Sequence, residues 1–187
     1  MHAPAELLQG HCVSLRRWRA GDAGTLYRVV SASIEHLAPW LSFVRDGFTE
    51  LDAQRFIERN RLEWADGTSY GYAIVTGGDS DGEVVGGEVI GSCGLMARIG
   101  PGGLEVGYWL HPGHTGAGLA TQAIGLLADE AFRIGADRVE IHHDEANARS
   151  AAMPRRLGFA EVARRPNPEP LSPAEVGIDV IWRRCRV

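Results

Sequence analysis

Short runs of alternating apolar and polar residues recur along the 187-residue chain and predict the strands of a sheet. In residues 12–18, Val13 and Leu15 would face one way and the intervening polar side chains the other. Runs rich in β-branched and aromatic residues predict further strands at 69–76, 84–96, 103–110, 138–142, 158–165 and 176–183. The strand predicted at 84–96 contains several glycines, so we expect a bulge or bend in it.

Apolar residues at helical spacing predict helices at 20–31, 49–66, 117–134 and 147–157. The second of these helices has the clearest start, because Thr49 and Asp52 can form a capping box. Before it, residues 33–44 form an apolar segment that contains a proline, Trp40 and Phe43. We expect a short helix and a loop in this segment.

The predicted order of elements is β, α, α, β, β, β, α, β, α, β, β. A strand, a helix and a following strand of one sheet form a right-handed unit, so strands 103–110 and 138–142 should be parallel. Short polar turns such as GGDSDGE, residues 77–83, join other strands. The sequence therefore predicts a single α+β domain over residues 1–187, with a central mixed, mostly antiparallel sheet flanked by helices.

Charge and composition exclude several classes of protein. The net charge is −5, so we expect no general nucleic-acid-binding surface. All 19 residues counted as Lys or Arg are arginines, which excludes lysine-based catalysis and a P-loop. The 3 cysteines are far apart and predict neither a disulfide framework nor a zinc site. No apolar segment is long enough for a signal peptide or a membrane span, so we expect a cytoplasmic protein.

The most distinctive stretch is WLHPGHTGAGLATQA, residues 109–123, which leads from a predicted strand through a glycine-rich loop into a predicted helix. Glycines allow a tight backbone path, and the N–H groups at a helix start bind phosphates. We expect a pyrophosphate here, although a glycine-rich turn without a ligand has the same pattern. A Rossmann site fits poorly, because Thr121 takes the place of its third glycine. A metal site also fits poorly, because His142 and His143 would face opposite sides of a strand.

Several separated motifs resemble the GNAT superfamily of acyl-CoA N-acyltransferases, and in particular its RimJ/RimL-type branch. They are the strand LEVGYWL, the loop HPGHTGAG, the helix start LAT, and NARS followed by RLGF. SIEHLAPWLSF, IGSCGL and DVIWRR resemble other segments of that branch, so the resemblance covers nearly the whole chain in order. It implies a GNAT-like fold in which two parallel strands splay at the CoA site. It also implies transfer of an acetyl or other short acyl group from acyl-CoA, without a metal.

The resemblance implies where CoA would bind. The pyrophosphate would contact backbone amides of residues 113–121, and the pantetheine arm would run along the strand at Trp109 and Leu110. Gly107 would suit a bulge that separates the two strands. Asn147 would either hydrogen-bond the pantetheine or cap the next helix. The cofactor-binding residues implied in this way are Trp109, Leu110, His111, Gly113, Thr115, Gly116, Ala117, Gly118, Leu119, Ala120, Thr121, Asn147 and Ser150.

The resemblance also implies direct attack of a primary amine on the thioester. Glu105 matches the family's general base, which acts through a water, and a backbone N–H near Trp109 or Leu110 would polarise the carbonyl. Trp40 and Phe43 would line the pocket of the acceptor. The acceptor stays open between a protein N-terminus and a small amine, and a homodimer stays open too. The alternative is a non-catalytic acyl-CoA-binding protein on the same fold.

Four positions depart from the pattern of the family or its branch. Thr115 stands where the branch often has an aromatic residue, and Gln122 stands where it often has Glu. Gly113 stands where many members have an Arg or Gln, so one phosphate contact would depend on the backbone alone. Pro154 stands where many members have the Tyr that protonates the leaving thiolate, so the general acid is unassigned. A thiolate is a fair leaving group, so the reaction can proceed without such an acid.

Overall fold

The computed structural model describes residues 2–44, 46–77, 87–167 and 171–186. Within these ranges the strands form one eight-stranded sheet in the order β1-β2-β3-β4-β5-β6-β8-β7. β5 and β6 are parallel, and every other neighbouring pair in the described part is antiparallel. The strands are β1 (Leu7–Leu8), β2 (Val13–Arg17), β3 (Ser69–Thr76), β4 (Val89–Met96), β5 (Gly103–Leu110), β6 (Arg138–Asp144), β7 (Ala160–Pro166) and β8 (Ile178–Cys185).

The helices begin and end at residues with clear local causes. They are α1 (Ala23–Ser31), α2 (Ile34–Leu37), α3 (Glu50–Asp66), α4 (Leu119–Arg133) and α5 (Ala148–Arg156), with single 3-10 turns at Ala20–Asp22, Ser42–Val44 and Pro112–His114. The predicted capping box of α3 is confirmed, because the Thr49 hydroxyl accepts from the Asp52 N–H and the Asp52 carboxylate accepts from the Thr49 N–H. Gly67 then ends α3 in the left-handed conformation, with φ +73°.

Two apolar clusters fill the two sides of the sheet. α4 packs on one side, and α1 and α3 pack on the other side over β3 and β4. Alternation along β3 assigns its residues to the sides, since Ile74 lies in the first cluster and Ala73 and Val75 lie in the second. On β5 and β6, the second side carries the carboxylates of Glu105 and Glu140.

The predicted α+β class and the mixed sheet with one parallel pair are confirmed. The predicted bulge lies at Ile90, because Ile74 pairs with Gly91 and Val75 pairs with Val89. β4 begins at Val89, and most of the predicted turn at 77–83 lies outside the described residues. The two-residue strand β1 was not predicted, since it is too short to show a pattern.

Candidate active site

β5 and β6 separate in the middle of the sheet and leave a gap between them. Their pairing begins at Gly103↔Arg138 and ends at Val106↔Ile141, although both strands continue. β6 then follows β8 as far as Asp144, while β5 follows β4 as far as Leu110. The predicted splay of the two parallel strands is therefore confirmed.

The predicted bulge at Gly107 is wrong. β5 keeps a continuous register with β4 through the pair Gly94↔Gly107. Beyond Val106 and Ile141, each of the two strands stays paired only with its antiparallel neighbour on the other side. A Cβ at position 107 would lie 3.0 Å from the terminal methyl of Met96, so this glycine also avoids a close contact.

Backbone N–H groups of β5 point into the gap. The N–H of His111 donates to the carbonyl of Ile90 on β4, at 2.7 Å. Because successive residues of a strand direct their N–H groups to opposite edges, the N–H of Trp109 also faces β4, and that of Leu110 faces the gap. Of the two donors expected from the sequence, Leu110 is the one placed to bind a ligand carbonyl there.

The loop after β5 presents a row of backbone donors. Gly116 and Gly118 adopt left-handed φ values of +85° and +78°, and α4 begins directly after them. In the described part of the chain, the N–H groups of residues 116–121 have no backbone or side-chain acceptor. Gly113 differs, because its N–H donates to Nδ1 of His111 at 3.1 Å. The backbone donors of this loop that have no acceptor in the described part therefore lie at 116–121, at the positive end of the α4 dipole.

A cleft of about 1200 Å³ is lined by this loop, by the gap between β5 and β6 and by residues of α2. The predicted site residues that line it are Trp40, Glu105, Trp109, Leu110, Thr115, Gly116, Gly118, Leu119, Ala120, Thr121, Asn147 and Ser150. Four predicted residues do not line it, namely Phe43, His111, Gly113 and Ala117. Phe43 is 47% exposed and packs edge-on against Phe48. His36 and Arg98 do line the cleft but were not predicted from the sequence.

Glu105 lies where β5 and β6 begin to separate, and 5% of it is exposed. Arg98 donates to both carboxylate oxygens, from Nε at 2.8 Å and from Nη2. Nδ1 of His142 lies 3.7 Å from Oε2 of Glu105. A buried carboxylate thus faces the cleft, held in orientation by a guanidinium and flanked by an imidazole.

Comparison with known proteins decides the family. Residues 13–160, which make up most of the chain, match the model of the acetyltransferase (GNAT) domain. The chain belongs to the GNAT acetyltransferase family. No curated protein matches its sequence.

Several solved structures share the fold of this GNAT protein at low sequence identity. RimL, described as a ribosomal L7/L12 α-N-protein acetyltransferase and solved with coenzyme A, has a TM-score of 0.83 and 20% identity, over 96% of this chain and 98% of that chain. Mycobacterium smegmatis RimJ, solved with CoA-disulfide, has a TM-score of 0.81 and 22% identity, over 99% and 90%. The microcin C7 self-immunity acetyltransferase MccE, solved with acetyl-CoA and AMP, has a TM-score of 0.82 and 18% identity, over 95% and 94%.

The GNAT protein has two hydroxyl groups at the wall of the gap. The Tyr108 hydroxyl donates to Oγ of Ser150 at 3.1 Å, and burial raises the pKa of Tyr108. Sequence reasoning missed Tyr108, although strand alternation already places it on the opposite side from Glu105. Asn147 caps α5, since its side-chain oxygen accepts from the Ser150 N–H at 3.1 Å. Pro154 is buried within α5 and has no proton to donate.

Asp144 lines the cleft at the end of β6. Its carboxylate accepts from the N–H groups of Ala146, Val176 and Gly177, at 2.8–3.1 Å. Burial opposes the ionised form, but these backbone donors outweigh it and lower the pKa of Asp144. The end of β6 is thereby tied to the segment that precedes β8.

The two adjacent histidines face opposite sides of β6, as predicted. Nε2 of His143 accepts from the indole N–H of Trp182 at 2.9 Å, so Nδ1 donates to the Asp144 carbonyl at 2.8 Å. His142 faces the Glu105 side. Across the described ranges, no three His, Cys, Asp or Glu side chains are grouped as metal ligands. In the same ranges, no helix has the length and apolar character needed to cross a bilayer.

Proposed function

We propose that this protein is a CoA-dependent N-acetyltransferase that acetylates a primary amine. The observation that carries the proposal is the buried Glu105 carboxylate at the point where β5 separates from β6. This carboxylate faces the gap. The gap also presents a row of backbone donors and the hydroxyls of Tyr108 and Ser150, which suit a thioester. The family membership of the chain supports the same conclusion.

The residues of the cleft fit acetyl-CoA. The N–H groups of residues 116–121 would bind the pyrophosphate, because they converge at a helix N-terminus without protein acceptors in the described part. The pantetheine arm would lie along the free edge of β5, where Leu110 presents its N–H. The Asn147 oxygen is engaged in the cap of α5, so its amide NH₂ is the group that would contact the arm.

When bound, acetyl-CoA supplies the acetyl group as a thioester. Glu105 accepts the proton of the attacking amine through a water, because an α-amine has a pKa of about 8 and is mostly protonated near neutral pH. The Leu110 N–H polarises the thioester carbonyl. Ser150, whose oxygen accepts from Tyr108, donates a hydrogen bond to the leaving sulfur. The two hydroxyls thus stabilise the departing thiolate by hydrogen bonding, and the thiolate takes the second proton that the amine nitrogen loses, so that CoA leaves as the free thiol.

The acceptor is a primary amine, either a protein N-terminus or a small amine. Two neighbours in fold are described as acting on protein N-termini, namely RimL, an α-N-protein acetyltransferase of ribosomal L7/L12, and a Salmonella typhimurium acetyltransferase that modifies the N-terminal serine of L7/L12. Trp40 and Leu37 line the same cleft as Glu105 and would pack against the residue that carries the amine. We propose acetyl as the acyl group, since MccE was solved with acetyl-CoA.

One observation favours a second candidate, a non-catalytic acyl-CoA-binding protein. Arg98 donates to both carboxylate oxygens of Glu105. If this ion pair stayed closed, Glu105 could not accept a proton from an amine. Because 60% of the Arg98 side chain is exposed, its guanidinium can move into solvent when an amine arrives.

The variant E105Q separates these two functions. Glutamine keeps the size of the side chain but cannot take a proton, so kcat with an active amine should fall by about a hundredfold or more. The Kd for acetyl-CoA, measured by calorimetry, should stay unchanged. The matched control is E58Q, which removes a carboxylate on the exposed face of α3. An unchanged kcat in E105Q would remove Glu105 from the mechanism, and a parent protein that binds acetyl-CoA but acetylates no amine would support the second candidate.

A further inference from the structure

His142 connects the proposed base to a second buried carboxylate. Its Nε2 lies 2.8 Å from Oε2 of Glu140, and its Nδ1 lies 3.7 Å from Oε2 of Glu105. The ring is held between two strands, because Glu105 belongs to β5 and Glu140 is two residues before His142 on β6. The side chain of His142 is 12% exposed and lines the cleft.

Glu140 determines which nitrogen of His142 carries the proton. Its other oxygen, Oε1, accepts from Nε of Arg183 at 2.8 Å and from Nη2 at 2.6 Å. Burial opposes ionisation of Glu140, but the hydrogen bonds from His142 and Arg183 outweigh it and lower the pKa of this carboxyl. Glu140 is therefore an acceptor, and the Nε2 of His142 must donate to it. In the neutral ring this leaves the lone pair of Nδ1 directed toward Glu105.

The proposed reaction leaves a proton on Glu105 after each turnover. The side chain of His142 is 12% exposed and that of Glu105 is 7% exposed, so the imidazole is the more open of the two to water in the cleft. Three carboxylates interact with His142, namely Glu105 on β5, Glu140 on β6 and Asp179 on β8. Arg98 pairs with Glu105 and Arg183 pairs with Glu140.

We propose that His142 removes from Glu105 the proton that the acceptor amine has delivered, and that Glu140 holds the imidazole in the tautomer this transfer needs. The O–H bond of Glu105 breaks and an N–H bond forms at Nδ1. Water in the cleft then takes a proton from the imidazolium, which restores the neutral ring. Since 3.7 Å exceeds a direct hydrogen bond, the transfer proceeds through one bridging water or after a small movement of the ring. His142 is thus a positioning residue that acts through Glu105, and the inference depends on the proposed function.

The kinetic test uses the variants H142Q, H142A and E140Q. H142Q should lower kcat by about tenfold to a hundredfold, with the Kd for acetyl-CoA unchanged, because the relay is lost but the CoA site is intact. Added imidazole should restore kcat in H142A, and the rescue should increase with the neutral form of imidazole. E140Q should lower kcat by a smaller factor, because the ring stays but its tautomer is no longer held. The control is H2A, which removes an exposed imidazole that does not line the cleft.

A spectroscopic test measures the tautomer of His142 directly and does not depend on turnover. Nitrogen NMR of the parent protein should show the Nε2–H tautomer for His142, and E140Q should shift the population toward Nδ1–H. An Nδ1–H ring in the parent, or a loss of kcat in H142A that imidazole does not restore, would overturn the proposal. An active parent with the same kcat in H142Q would overturn this inference alone. A parent that acetylates no amine would overturn the proposed function as well.

Discussion

Glu105 and Tyr108 lie on the same strand but face opposite sides of the sheet. The gap between β5 and β6 makes both side chains accessible to a single ligand that passes through it. The amine would therefore lose its proton on the Glu105 side, and the sulfur would leave on the side of Tyr108 and Ser150.

Removal of the Tyr108 hydroxyl tests the role of this side of the gap. Y108F deletes the donor to Ser150 but keeps the buried ring, so kcat should fall by about threefold to tenfold, the equivalent of one net hydrogen bond. Burial raises the pKa of Tyr108, so its hydroxyl stays protonated at neutral and mildly alkaline pH. The ratio of kcat between the parent and Y108F should therefore be constant over that range.

The control for this variant is Y27F, which removes the hydroxyl of a partly buried tyrosine on α1. A ratio that falls toward one as the pH rises would show that Tyr108 titrates in this range. A kcat in Y108F equal to that of the parent would exclude the hydroxyl from the reaction.

At the scale of elements, periodicity in the sequence predicted most of the strands and helices. Alternation also separated His142 from His143. The start of α4 was predicted two residues early, at 117, because a propensity argument does not show that Gly118 is left-handed. Contacts that join distant segments, such as Arg98 with Glu105, were not predicted, since they depend on the path of a loop.

The backbone path of the loop before α4 can be tested with a matched pair of glycines. Gly118 and Gly158 have φ values of +78° and +75°, and no atom lies within 4 Å of a Cβ built at either position. G118A and G158A should therefore cost a similar amount of stability, about 1–2 kcal/mol, for the same left-handed strain. G118A should also raise the Kd for acetyl-CoA by about tenfold, because it strains the turn that directs the N–H groups of residues 116–121.

The measurements for this pair are urea denaturation and calorimetry. Equal losses of stability with a changed Kd in G118A alone would assign CoA binding to this loop. A Kd in G118A that matches the parent and G158A would remove the loop from the CoA site.

At the scale of the whole molecule, CoA would contact both halves of the sheet. The donors at 116–121 follow β5, whereas Asn147 and Ser150 follow β6, and these strands are not paired beyond Val106 and Ile141. A ligand that bridges the gap supplies a connection that the sheet lacks there. It should therefore stabilise the folded chain as a whole and not only the loop.

This linkage predicts the thermal stability of the protein with different ligands. Acetyl-CoA at about 100 times its Kd adds roughly 2.7 kcal/mol to the free energy of unfolding. For a chain of this length, Tm should rise by roughly 5–10 °C. ATP and NADH should give a smaller shift, because they share the nucleotide but lack the pantetheine arm that would enter the gap. E105Q should show the full shift with acetyl-CoA, since its carboxylate acts on the amine, while G118A should show a reduced one. A shift with ATP or NADH but none with acetyl-CoA would contradict the acetyltransferase proposal, because the gap between β5 and β6 would then have no ligand to fill it.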